Sequence, residues 1–298
     1  GKGLSTFRQS MINDTRLRKF DIFMTPKDVF PTANLRGGVN YFLWDSHYDN
    51  SAKGIHVTQY ENNKQISDET RPFKTKGVED IFISDNRAVG LLENLFSKKF
   101  ISSDMDSDGM LAKYISSRNP FGFDTKFRKS LDFRESKTGV SNPVKLYVKN
   151  GITGFVSRGS IKKNKEMIDT WKVITPFANN IGTDLNDDNL NTLIAEPDSI
   201  VTETYLVIGS ELNLDFRSAS NLSKYLKTKL VRTLIGLAKA NHNGTRQTYR
   251  FVPTQNFTDK SDIDWSQSVA NIDQQLYKKY DLGKKEATFI ETRVKAME

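Results

Sequence analysis

Residues 201–253, VTETYLVIGSELNLDFRSASNLSKYLKTKLVRTLIGLAKANHNGTRQTYRFVP, decide the fold that the sequence predicts. The opening VTETYLVIG is β-branched and aromatic, which is typical of a buried strand. The following NLSKYLKTKLVRTLIGLAKA predicts one helix, because leucines recur at helical spacing. These are Leu222, Leu226, Leu230, Leu234 and Leu237. The closing TYRFVP predicts a second strand that ends at Pro253. We therefore expect a strand–helix–strand unit at the core.

Charge along the chain is divided into blocks of one sign. Residues 217–250 hold eight Lys/Arg and no Asp/Glu, and residues 113–172 hold 14 basic and five acidic residues. Between them, residues 173–216 hold eight acids and no base. Two basic blocks around an acidic one favour contact with a phosphate backbone, each block presenting a basic surface. The alternative is ordinary solvated faces that happen to cluster.

Composition limits the class of protein. A chain of 298 residues with 37% hydrophobic content is long enough for a sizeable core and for two domains or one large one. It has no cysteine, which excludes disulfides, thiolate zinc sites and cysteine nucleophiles and fits a cytoplasmic location. No apolar run approaches the roughly 20 residues of a membrane span, so we expect no membrane partner.

The predicted elements indicate a mixed α+β fold. Near the N-terminus we expect a helix with Phe7, Met11 and Ile12 inward, and strands over residues 17–24, 39–45 and 54–63. A helix should start near Asp85. Short strands are predicted over residues 144–148, 154–156 and 171–175. The C-terminus should be helical, with apolar stripes at Trp265, Val269, Ile272 and Leu276 and then at Phe289, Ile290 and Val294.

Motifs for common chemistry are weak or missing. The sequence has no G-x-G-x-x-G after a strand and no G-x-x-x-x-G-K-[ST]. No pair among its three histidines has metal-ligand spacing. Pro197-Asp198 with Glu203 partly matches a P-D…E-x-K nuclease pattern, but Tyr205 replaces the lysine. We expect no catalytic or metal-binding residues in this chain and keep a magnesium-dependent nuclease using Asp198 and Glu203 as an alternative.

Several stretches carry a resemblance to a known family. They are GKGLSTFRQSMINDTRLRKF, GGVNYFLWD, NPFGF, TETYLVIG, NLSKYLKTKLVRTLIGLAK, YRFVPTQNF and LYKKYDLGKKEATFIETRV. In this order they resemble the C-terminal part of the adenine-specific DNA methyltransferases of fused type II (type IIG) restriction–modification enzymes. The resemblance runs over nearly the whole chain. It implies that residues 1–75 are the tail of a methyltransferase α/β domain, an incomplete sheet with an apolar edge. Residues 76–250 would form the target-recognition domain, and residues 251–298 a helical end.

The family's catalytic motifs do not occur in this sequence. Asn119-Pro120-Phe121-Gly122 lacks the second proline of the Asn-Pro-Pro loop that holds a flipped adenine. The resemblance therefore implies a piece of a longer enzyme that is inactive alone. S-adenosylmethionine, and magnesium if the enzyme cuts, would bind in a missing N-terminal half, on the same chain or a separate subunit. We expect residues 1–298 to bind no cofactor.

Double-stranded DNA is the partner that charge and resemblance both predict. Most contacts should be to phosphates, with some side chains reading base edges in the major groove. The candidate residues are Arg118, Lys126, Arg128, Lys129, Arg134, Lys137, Arg158, Lys162, Lys163 and Lys165. A scaffold whose basic surface binds an acidic protein subunit is a further alternative.

Overall fold

The apolar runs of the N-terminal region form a four-stranded sheet. A computed structural model describes residues 5–33, 35, 38–179, 181, 190–239 and 242–297. Its first elements are α1 (Ser5–Asn13), β1 (Leu17–Phe23), β2 (Val39–Trp44), α2 (Asn50–Lys53), β3 (Ile55–Glu61), β4 (Lys64–Arg71) and α3 (Asn86–Ser97). The strand order is β2-β1-β3-β4, with β1 and β3 parallel and the outer pairs antiparallel. The three predicted strands and both predicted helices are confirmed.

The core of this sheet is aromatic and aliphatic. Phe20 stacks on Phe82 and Phe73 with ring centroids 5.2 and 6.0 Å away, and Ile12 packs from α1. Phe7 was predicted to face inward, and that is wrong, because its side chain is 61% exposed. The short helix α1 buries Ile12 fully and Met11 only partly.

Strand β2 is an apolar edge. Its residues Tyr41, Phe42, Leu43 and Trp44 are between 44% and 54% exposed. Among the described residues no strand pairs with its outer side. An uncharged, apolar edge strand has unpaired backbone groups and is a ready template for further association. This edge agrees with the incomplete sheet that the resemblance implied, while the assignment of residues 1–75 to a methyltransferase domain stays a prediction.

The chain divides into two units, Gly1–Ser103 with Tyr280–Phe289 and Asp104–Lys279 with Ile290–Glu298. The remaining elements are β5 (Pro143–Tyr147), β6 (Thr153–Ser157), β7 (Lys172–Pro176), β8 (Leu193–Ala195), β9 (Ser199–Val201), β10 (Tyr205–Ile208), α4 (Phe216–Lys227), α5 (Lys229–Ala238), α6 (Val269–Lys279) and α7 (Lys284–Arg293). The second unit contains the sheets β10-β7-β8 and β6-β5-β9. The mixed α+β class is confirmed, and no helix in the described ranges has the length and apolarity needed to cross a bilayer.

The predicted long helix of residues 221–240 is broken at Thr228. This residue has extended backbone angles (φ −60°, ψ 149°), ends α4 and begins α5. Its hydroxyl donates to the carbonyl of Tyr225 at 2.7 Å. The buried carboxylate of Asp273 accepts from the backbone N–H groups of Lys229 and Leu230, at 2.9 and 3.1 Å. Burial raises the pKa of Asp273 to about 6. A side chain distant in sequence therefore satisfies the first donors of α5.

TYRFVP was predicted as a strand, and that is wrong. Arg246–Tyr249 forms a 3-10 helix, closed by reciprocal hydrogen bonds between Thr245 and Thr248. Pro253 pairs with Met110 in an isolated β-bridge, and its carbonyl accepts from the hydroxyl of Tyr225 at 2.7 Å. The segment is nevertheless buried. Its apolar residues therefore indicated that it lies in the core, but they did not indicate that it forms a strand.

Residues 217–250 were also predicted to present a basic surface, and most of their cations do not. Arg232 and Arg250 are buried. Lys229 pairs with Glu291 at 2.5 Å, and Arg246 pairs with Asp106. This block contains no acidic residue, but acidic residues from other parts of the chain form ion pairs with its cations in the fold.

We predict that Asp273→Ala lowers the free energy of unfolding by about 2 kcal/mol, because two buried helix donors lose their acceptor. Urea denaturation followed by circular dichroism measures the change. Asp259→Ala, at an exposed position of the same unit, is the matched control and should change stability little. Equal effects of the two substitutions would contradict the capping role of Asp273.

Candidate nucleic-acid interface

The candidate residues lie on three loop segments that pack against the sheet β6-β5-β9. The first segment, residues 118–129, is anchored by Phe121 and Phe123, which are buried in the core that also contains Val144 and Val156. The backbone N–H of Glu203 donates to the carbonyl of Phe123 at 2.8 Å. Alternation of buried aromatic and exposed polar residues therefore fixes this loop to the sheet while leaving its polar side chains at the surface.

The first segment ends in a short 3-10 helix, Thr125–Lys129. Asp124 caps it by accepting from the backbone N–H of Lys126 at 2.9 Å. Phe127 packs edge-on against Phe123 with centroids 4.6 Å apart. The side chains of Lys126, Arg128 and Lys129 are exposed and make no ion pair with any described residue. One turn of chain thus displays three uncompensated positive charges.

The second segment, residues 130–137, docks on the free edge of β6. Arg134 exchanges two backbone hydrogen bonds with Phe155, at 3.0 and 2.7 Å. The ammonium group of Lys137 lies 5.5 Å from the ring centroid of Phe155. The ring of Phe133 lies against Gly154, where an added Cβ would be 2.2 Å from the Phe133 Cζ atom. Only glycine leaves room for this contact.

The third segment, residues 158–165, is tied to the first. Asn164 has a left-handed backbone (φ 48°), and its side-chain amide donates to the carbonyl of Pro120 at 2.7 Å. Lys162, Lys163 and Lys165 are exposed. Lys162 donates to the carbonyl of Gly159 at 2.7 Å, and no carboxylate of the described chain pairs with any of the three. Asn164 therefore brings this lysine cluster beside the first segment.

We call the exposed cations of the three segments the basic face. Its members are Lys126, Arg128, Lys129, Arg134, Lys137, Lys162, Lys163 and Lys165. Within the described ranges none of them pairs with a carboxylate. Unpaired surface cations favour a polyanion as ligand, because their binding to it releases the counterions that the polyanion had condensed.

The two remaining candidates, Arg118 and Arg158, are paired with acids of the chain. Arg118 donates to Glu203 at 2.9 Å and lies 4.9 Å from the ring centroid of Phe177. Arg158 donates to Asp169 at 2.9 and 2.5 Å and also to Asp198. The hydrogen bonds from Arg158 hold the pKa of Asp169 below its usual range. Both arginines therefore hold loops together, although exposed pairs of this kind contribute only about 0–1 kcal/mol and a phosphate can compete for them.

The two acids of the nuclease alternative have other partners. The Glu203 carboxylate accepts from the backbone N–H and hydroxyl of Thr125, at 3.2 and 3.0 Å, in addition to Arg118. These bonds, that of the Thr125 N–H first, lower its pKa. Asp198 accepts from Arg158. Across the described ranges no group of three or more His, Asp or Glu side chains is placed to hold a metal ion. Each of the two carboxylates is therefore engaged by an arginine of the described chain.

Sequence reasoning missed three residues that position or extend this surface. Gly154 and Asn164 fix the second and third segments, and Leu131, which lies between Lys129 and Arg134 in the sequence, is 85% exposed. Asparagine inside Lys-Lys-Asn-Lys was a signal for a left-handed turn. Gly154 and Leu131 had no signal of their own, since a glycine contact and an exposed leucine depend on the tertiary fold.

Comparisons with known proteins give a distant structural likeness. No protein-family model matches the chain, and no curated protein matches it. Among solved structures, it is similar to one described as "Characterization and crystal structure of the type IIG restriction endonuclease BpuSI". The two share 11% sequence identity with a TM-score of 0.39, over 98% of this chain and 45% of that one. The chain thus spans less than half of that enzyme's length.

We predict that Gly154→Ala undocks the second segment, because the new Cβ would overlap Phe133 and the carbonyl of Arg134. Limited trypsin digestion should then cleave after Arg134 and Lys137 several-fold faster, while the circular dichroism spectrum stays close to that of the parent protein. Gly159→Ala is the control, because its Cβ would only touch Ser157 Oγ at 3.7 Å. Unchanged cleavage in Gly154→Ala would show that the contact does not hold the segment.

Proposed function

We propose that this chain is the DNA-recognition part of a restriction–modification protein and that the basic face binds the backbone of double-stranded DNA. The observation that carries the proposal is the set of eight exposed cations without carboxylate partners in the described chain, on loops anchored to one sheet. Other cations of the second unit, such as Lys229 and Arg246, do pair with acids. Exposed cations without such partners also lie elsewhere in the described ranges, for example Lys149, Lys260 and Lys278. What singles out the basic face is that eight of them share three neighbouring loop segments.

The phosphate backbone is the ligand that this arrangement fits best. Each neutralised phosphate of duplex DNA contributes a slope of about −0.9 to the dependence of log affinity on log salt concentration. Contacts of this kind orient a protein on the duplex without reading its sequence. Reading of bases would fall to the forked side chains on the same loops, such as Arg128 and Arg134.

The finer proposal is that the chain serves an adenine-N6 DNA methyltransferase, with or without cleavage activity. The sequence resemblance supports it. The catalytic half, with its S-adenosylmethionine site and any magnesium site, would be a separate part of the protein or a separate subunit. Its association with the first unit would cover the edge of β2, where Phe42 and Trp44 are exposed. Residues 1–75 would then complete the methyltransferase sheet.

An acidic protein partner is the competing ligand for the basic face. The loops of a DNA-binding protein and those of such a scaffold can share the same charge. Two measurements distinguish these ligands. Duplex DNA displaces an acidic protein only if both bind to this surface. Only DNA binding gives a salt slope that follows the number of phosphates contacted. A magnesium nuclease would instead nick plasmid DNA in a manner that depends on Asp198, which we do not expect.

We predict that Lys126→Gln, Arg128→Gln and Lys129→Gln combined weaken duplex binding at least about tenfold at low salt and reduce the salt slope by up to about 2.7, because up to three phosphate contacts are lost. Fluorescence anisotropy with a labelled duplex across a salt series measures both quantities.

The matched control replaces three exposed lysines outside the basic face, Lys278→Gln, Lys284→Gln and Lys285→Gln. It removes the same net charge. An equal loss of affinity in the control would show that binding follows net charge and not the basic face. A parent protein whose affinity for duplex DNA does not change with salt would contradict the proposed function.

A further inference from the structure

Leu131 is an exposed apolar side chain of the second segment, on a turn that it shares with the exposed Asp132. With 85% of its surface exposed, it is the most exposed large hydrophobic residue of the described chain. Arg128 and Lys129 precede it, and Arg134 follows it. Exposed leucines scattered singly need no explanation, but this one lies between cations that are themselves unpaired in the described ranges.

The turn that carries Leu131 is fixed on both sides. The backbone N–H of Phe133 donates to the carbonyl of Ser130 at 3.2 Å, which closes a β-turn with Leu131 at its second position. Asp132 N–H donates to the hydroxyl of Ser130 at 3.2 Å. Before the turn, Ser130 N–H donates to Phe127 at 2.8 Å, and after it Phe133 packs on Gly154. Leu131 therefore lies on a turn whose conformation is held by hydrogen bonds and packing on both sides.

From this geometry we infer that Leu131 is a wedge that enters the base stack of the duplex. The inference rests on the proposed DNA binding. Contacts of phosphates with the cations that flank the turn in sequence, Arg128, Lys129 and Arg134, would hold the exposed Leu131 against the duplex, within reach of a groove. Apolar side chains in this position are known to part a base step and kink the duplex. Burying a leucine side chain is worth about a tenfold to hundredfold gain in an equilibrium constant, which offsets part of the unstacking.

A side chain that inserts between base pairs binds more tightly to DNA whose bases are already unstacked, because binding then does not have to supply the free energy of unstacking. The ligand class is therefore duplex DNA with a locally weakened step, such as one extrahelical adenine. In the proposed restriction–modification protein, the same insertion would occupy the space that opens between two unstacked base pairs. A leucine that only touches the backbone would give no such preference.

The experiment compares two labelled duplexes of the same sequence, one intact and one with a single extrahelical adenine, by fluorescence anisotropy at low salt. We expect the unaltered chain to prefer the bulged duplex about tenfold. Leu131→Ala should lose the preference while keeping the salt slope, since no cation is removed. Leu131→Met should retain it, because methionine also supplies a flexible apolar side chain. Phe7→Ala, which removes another exposed apolar side chain, is the control and should retain it.

The outcomes separate the two proposals. Salt-dependent binding of both duplexes without a preference, or a preference that survives in Leu131→Ala, overturns the wedge and leaves DNA binding intact. Absence of salt-dependent binding to either duplex overturns the proposed function and the wedge with it. Loss of folding in Leu131→Ala would appear in its circular dichroism spectrum, and Leu131→Gln then takes its place with the same criteria.

Discussion

The basic face depends on apolar anchors beneath like-charged loops. Loops that carry eight cations repel one another, and no carboxylate in the described ranges forms an ion pair with them, although Asp124, Asp132 and Glu135 lie on the same segments. They stay together because Phe121, Phe123 and Ile161 are buried in one core, with Phe133 packed at its margin. Burying a phenylalanine contributes about 1.5–3 kcal/mol, whereas exposed charges more than about 10 Å apart are largely screened at physiological salt. Hydrophobic burial therefore outweighs the repulsion and holds the cations ready for a ligand.

The two basic blocks of the sequence, residues 113–172 and 217–250, differ in how many of their cations form ion pairs in the fold. The block of residues 217–250 has the higher charge density, yet acids such as Glu291 and Asp106 meet its lysines and arginines in the fold. The block of residues 113–172 contains acids of its own, yet most of its exposed cations keep no partner within the described ranges. Part of the acidic block, residues 182–189, lies outside the described chain. Charge counts along the sequence thus predicted a polyanion as ligand, and only the contacts distinguished paired from unpaired cations within each block.

Local patterns predicted most of the elements and fewer of the contacts. The strands at residues 17–24, 39–45 and 54–63 were predictable because β-branched and aromatic runs are bounded by turns. The break at Thr228 was not, since the capping carboxylate of Asp273 lies more than 40 residues away. For the interface, the cations themselves were predictable from composition. Their ion pairs were not predictable. Arg118 pairs with Glu203, and Arg158 pairs with Asp169 and Asp198. Partners this far apart in sequence leave no periodic pattern in the chain.

Amide hydrogen exchange of the whole chain, with and without a DNA duplex, shows where the duplex binds. If it binds at the basic face, we expect slower exchange at low salt in residues 125–137 and 158–165 and unchanged exchange in β2 and in residues 217–250. Protection confined to those latter regions, or no protection at a DNA concentration that saturates binding, would contradict binding at the basic face.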